Sequence, residues 1–143
     1  MVNSVPYQLN KRETKFIECP SRFLLPVKTP KLTVITNATL TSDPVKSNED
    51  FTVVGSATLL KSVTKDASFV VEFYDSNNNP ISGGGFTGNL CNPQCPTNYY
   101  QIDFTTRAPP HLPSNYSIVL AFVGNQVPHR IVTACGFASG LSG

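Results

Sequence analysis

The sequence predicts an all-β chain, an immunoglobulin-like antiparallel β-sandwich of about seven strands. Three observations carry that expectation. From Lys31 onward, apolar and polar residues alternate with period two. The stretches between the alternating segments are dense in Pro, Gly, Asn, Asp and Ser. No segment repeats apolar residues at the spacing of an amphipathic helix. With 143 residues, 40% of them hydrophobic, the chain has material for one domain around one core, expected over residues 13–143 behind an arm of residues 1–12.

The strand candidates, in chain order, are KLTVITNATL (31–40), EDFTVVGSATLL (49–60), ASFVVEFYD (67–75), YYQIDFTT (99–106), NYSIVLAFVG (115–124) and HRIVTACGF (129–137). All are rich in Val, Ile, Thr, Phe and Tyr, which suit a pleated, half-buried surface. A further strand is expected from Ile81 to Leu90, with Gly83-Gly84-Gly85 as a bulge or loop. Alternation assigns the faces. Glu72 points outward, so Phe69, Val71 and Phe73 point inward; Gln101 and Asp103 point outward, so Tyr100, Ile102 and Phe104 point inward. Both faces of NYSIVLAFV are apolar. The bulkier set, Tyr116, Ile118, Leu120 and Phe122, is assigned to the interior because Ser117 on the other face belongs to a glycosylation tripeptide.

Charged residues make up 14% of the chain, below the roughly 25% of an average soluble domain. All of the eleven Lys and Arg except Arg107 and Arg130 lie at or before Lys65. The nearly uncharged C-terminal half suits a surface that approaches lipid or a partner; a surface of Ser, Thr and Asn is the alternative. A net charge of +2 without a basic cluster interleaved with aromatics argues against a nucleic-acid partner. No apolar run approaches the roughly 20 residues of a membrane-spanning helix.

Four cysteines without a Cys-x-x-Cys pair favour a disulfide framework over a thioredoxin-like site. Cys91 and Cys95 offer two thiolates, but a structural zinc needs four N or S ligands and the other candidates are scattered singly; a local disulfide closing the NPQ loop needs nothing more. Asn37-Ala38-Thr39 and Asn115-Tyr116-Ser117 are glycosylation tripeptides, and with the cysteines they point to a secreted chain. At the start, MVNS reads as the tail of a signal peptide and Lys11-Arg12 as a dibasic processing site, which would start the mature chain near Glu13; a solvated basic arm is the alternative.

Catalysis finds no constellation. His111 and His129 lie in turn-like segments, no Gly-x-Ser-x-Gly elbow exists, and most acids sit in turns or on outward strand positions. SGGGF lacks the Lys and the following helix of a phosphate cradle and reads as a hairpin. No enzyme, metal or cofactor is expected.

A further pattern runs through the chain: ECP after an N-terminal strand, LTVITNATLTSDPVKSNEDFTVVGSATL, LCNPQCP, APPHLPSNYSIVLAFV, and a last-strand cysteine in IVTACGF. This order resembles the ML lipid-recognition domain family, which includes the soluble Niemann-Pick type C sterol carriers and the fungal phosphatidylglycerol/phosphatidylinositol transfer proteins. The resemblance covers Phe16 to Phe137. Its most specific elements are the Leu-Cys…Cys-Pro loop at Leu90 to Pro96, the LPSNYSI segment and the terminal Cys135. It implies two splayed sheets with a lipid cavity between them, disulfides Cys19–Cys135 and Cys91–Cys95, and no catalytic residues. The lipid-facing wall it implies comprises the inward sets named above together with Phe86. The segment TSDPVKSN lacks the cysteine of a third bridge that many members carry. The expected protein is secreted or vacuolar/lysosomal: a monomer that carries a sterol or phospholipid and touches membranes transiently. A secreted immunoglobulin-like interaction module with a solid core is the alternative, although the absence of Trp and the placement of the cysteines disfavour an antibody-like domain.

Overall fold

The computed structural model describes residues 14–20, 33–63, 67–90, 97–126 and 129–141. They form strands β1 (Thr33–Val34), β2 (Thr39–Thr41), β3 (Asp50–Val63), β4 (Ser68–Asp75), β5 (Pro80–Asn89), β6 (Thr97–Arg107), β7 (Tyr116–Gln126) and β8 (His129–Leu141). Two sheets result, one ordered β1-β8-β7-β4-β5 and the other β2-β3-β6. The expected all-β sandwich is the observed architecture, and every ladder but one is antiparallel: β1 runs parallel to β8.

The chain has eight described strands because the single strand expected over 31–40 is two. β1 belongs to the larger sheet and β2 to the smaller. In the sequence the break shows only as a slip in the alternation, two apolar residues at Val34-Ile35 followed by two polar ones at Thr36-Asn37. What makes it possible is a close crossing. The Ile35 amide donates to the Cys135 carbonyl at 2.9 Å, and Ile35 is fully buried. The crossing passes so near β8 that a Cβ on Gly136 would lie 2.4 Å from the Ile35 carbonyl oxygen, so only glycine fits there.

The strand expected over Ile81 to Leu90 is β5, and its glycines do form an irregularity. The register with β4 shifts between Glu72 and Tyr74, and Gly83 has φ +77°. SGGGF thus lies in the second arm of the β4–β5 hairpin, as part of a bulged edge strand. Gly88 lies opposite Phe69, and a Cβ there would sit 2.4 Å from that ring. The Phe69 ring therefore folds over the bare β5 backbone.

The larger sheet buries both faces. Between the sheets lie Ile118, Leu120 and Phe122 of β7; on its outer face Val119, Ala121 and Val123 cluster with Val70, Cys135, Phe137 and Cys19. This explains why alternation was silent on β7. Residues 14–20 run along β8: Ile17 exchanges two 2.8 Å backbone hydrogen bonds with Phe137, Phe16 enters the inter-sheet core, and Cys19 reaches the outer face to bond Cys135.

One end of the sandwich is tied by hydrogen bonds between the β2–β3 and β6–β7 connections. The amide of Asn48 donates to Pro109 O at 3.0 Å, Ala108 N to Glu49 O at 2.9 Å, and Leu112 N to Ser47 Oγ at 2.8 Å. Thr14 adds the N-terminal segment to this end by donating from its amide and its hydroxyl to the Asp43 carboxylate.

Candidate functional site

Every side chain assigned inward from alternation, and Phe86 with them, lies in or against the core between the sheets. Val71, Tyr116, Ile118, Leu120 and Phe122 are fully buried there, with Phe69, Phe73, Tyr100 and Ile102 nearly so. Phe86 and Phe104 are half-buried and pack against the same cluster. The two occupy edge strands of opposite sheets, β5 and β6, which are not paired with each other. Their ring centroids are 6.2 Å apart, so they meet across the lateral margin of the sandwich.

From that margin a run of rings leads inward. Phe104 meets Phe69 edge-on at 5.1 Å, Phe86 meets Phe51 at 6.0 Å and Phe73 at 6.2 Å, Phe51 meets Phe73 at 5.5 Å, and Phe73 meets Tyr116 at 5.8 Å. All but the tilted Phe73–Tyr116 pair are edge-to-face contacts, each contributing about 0.5–1.5 kcal/mol beyond area burial. Phe51 belongs to this run although sequence reasoning did not single it out. The information was present: Thr52, Ser56 and Thr58 mark the outward face of β3 and leave Phe51, Val53 and Ala57 for the interior.

Among the described residues, no charged side chain is buried, and the only buried side chains with a hydroxyl are tyrosines of the core. The hydroxyl of the buried Tyr116 is satisfied by the backbone: it donates to the Val45 carbonyl at 2.7 Å. Burial, with the nearby Asp43 charge, pushes the Tyr116 phenol up to about 12. The buried side chains between the sheets are thus apolar and aromatic among the described residues. His111 is exposed, and among the described residues no three of His, Cys, Asp and Glu come together.

Cys19 and Cys135 are joined, as the resemblance implied. Cys91, Cys95 and residues 1–12 lie outside the described residues, as does the side chain of His129. Both tripeptide asparagines are exposed. Compared with known proteins, the chain matches no family model and no curated protein.

Proposed function

We propose that this chain is a secreted or lumenal lipid-binding protein that carries the apolar part of a sterol or phospholipid between its sheets, without chemistry. The observation that carries the reading is the half-buried pair Phe86 and Phe104 at an unpaired margin, backed by a continuous aromatic interior free of buried charge among the described residues. A hydrocarbon entering there exchanges water for aromatic surface at about 25 cal/mol per Å², and two edge strands not paired with each other can part without breaking a ladder between them. The Cys19–Cys135 disulfide suits an oxidising secreted or lumenal compartment. The resemblance to the ML family, drawn from the cysteine framework and the LPSNYSI segment, points the same way.

The alternative, an interaction module with a solid core, is favoured by one observation: the rings of opposite sheets already touch at 5.1–6.2 Å. Native mass spectrometry of protein purified from a eukaryotic secretory host, followed by lipid extraction, separates the two. A stoichiometric co-purifying lipid, or uptake of fluorescent sterol or phospholipid, supports the carrier. Absence of both supports the module.

A further inference from the structure

The two glycosylation tripeptides meet opposite surroundings in the fold. β2 pairs with β3 as Thr39 opposite Val54 and Thr41 opposite Thr52. Extended two residues back, this register puts Asn37 opposite Ser56. The Asn37 backbone does not take that place, because the chain has already turned towards β8, where Ile35 bonds Cys135. The carboxamide takes it instead. Asn37 Oδ1 accepts from the Ser56 amide at 3.1 Å, and Nδ2 donates to Ser56 Oγ at 2.6 Å.

Both bonds go to one residue, so they use one edge of the planar carboxamide: the oxygen and the amide hydrogen beside it. An N-glycosidic bond replaces a hydrogen on Nδ2, and the trans preference of secondary amides puts the sugar on the oxygen's side. That is the edge held by Ser56. With Ser56 Oγ at 2.6 Å there is no room for a sugar carbon, so a glycan on Asn37 and this bidentate contact exclude each other.

Asn115 is different. It is exposed, it immediately precedes β7, and its carboxamide has no hydrogen-bond partner among the described residues. Its neighbour Tyr116 is fully buried and bonded to Val45, which fixes the backbone and leaves Asn115 at the rim.

We propose that Asn115 is the N-glycan acceptor of the folded protein, and that Asn37 carries no glycan because its carboxamide serves as a unit of the β3 ladder. The proposal rests on the secretory part of the reading above and not on lipid binding. To test it, the full chain is produced through a eukaryotic secretory pathway, isolated from the medium or lumenal fraction, digested without reduction, and treated with peptide N-glycosidase in heavy-oxygen water. The expected result is the isotope label on Asn115 and none on Asn37. Ser117→Ala, which keeps Asn115, should lose the whole glycan mass. Thr39→Val, which abolishes the other tripeptide but keeps the Asn37 carboxamide, should leave glycan mass and melting temperature unchanged. Asn37→Ala should lower the melting temperature with the glycan mass unchanged. Label on Asn37, or loss of glycan mass in Thr39→Val, overturns the proposal. So does an unlabelled Asn115 in a digest that contains the Cys19–Cys135 disulfide peptide, because that peptide shows that the chain did reach an oxidising compartment.

Discussion

The hydroxyl of Tyr116 donates to the carbonyl of Val45 at 2.7 Å, joining the first residue of β7 to the β2–β3 connection across 71 positions of sequence. Both residues are fully buried. Tyr116→Phe keeps the ring contact with Phe73 but leaves the Val45 carbonyl without this donor, at an expected cost of about 1–3 kcal/mol, read from urea unfolding. A change below about 0.5 kcal/mol would show that water replaces the hydroxyl at that carbonyl.

The same residue gives a pH dependence. Its pKa is raised to about 12 from the ordinary 10, so below pH 10 it is protonated in both folded and unfolded chains and stability is unaffected. Between pH 10 and about 12 the unfolded chain ionises first, and stability falls by up to about 1.4 kcal/mol per pH unit. Burial and Glu72 raise Tyr74 as well, so wild type should lose stability over this window through both residues. Tyr116→Phe should show a shallower loss, checked by urea midpoints at stepped pH. Parallel profiles for the two proteins would refute the assignment to Tyr116.

Glycine positions divide into two kinds. A Cβ on Gly136 meets backbone, the Ile35 carbonyl at 2.4 Å, whereas a Cβ on Gly85 meets nothing within 4 Å. Gly136→Ala should therefore cost about 1–3 kcal/mol or more through overpacking, since a backbone crossing has no rotamer to change. Gly85→Ala should be neutral or stabilise by up to about 1 kcal/mol through the unfolded state. Melting temperatures of the pair check both; equal values would contradict the crossing geometry.

The Cys19–Cys135 disulfide spans 116 residues of sequence. In the chain-entropy model a closure of that length contributes about 4–5 kcal/mol. Cys19→Ala with Cys135→Ala should unfold at clearly lower urea concentration than wild type. Wild type under denaturing, non-reducing conditions should yield no titratable thiol, because the remaining cysteines, Cys91 and Cys95, are expected to pair. Two titratable thiols would remove that second bridge.

Phe73 lies in the middle of the aromatic run and Phe104 at the margin. Phe73 is nearly inaccessible and holds Phe51, Phe86 and Tyr116 at ring contact, so Phe73→Trp should lose about 1–3 kcal/mol. Phe104 is half-buried at the margin, where Phe104→Trp has solvent to expand into and should change stability by less than about 1 kcal/mol. If lipid enters between β5 and β6, Phe104→Trp should nonetheless reduce uptake of a fluorescent lipid. Undiminished uptake by a stably folded Phe104→Trp would move the entry away from this margin.

Sequence alone determined which residues form strands and, wherever one face of a strand is polar, which residues face the interior. Glu72 and Gln101 suffice to turn Phe73 and Ile102 inward, because alternation is a local property of the extended backbone and needs no knowledge of the partner strand. Membership of a sheet is not local. Between Thr33 and Thr41 the alternation slips once, at Val34-Ile35 and Thr36-Asn37, but only tertiary contacts move the chain from one sheet to the other, with Ile35 bonded to Cys135 on one side and the Asn37 carboxamide bonded to Ser56 on the other. The need for glycine at Gly88 of β5 and Gly136 of β8 was not legible in the sequence for the same reason. Their role is to leave space for Phe69 and Ile35, and space is defined only when a second element fills it. The aromatic margin follows the same division: alternation turned Phe104 inward, but its meeting with Phe86 depends on β5 and β6 ending as edges of opposite sheets.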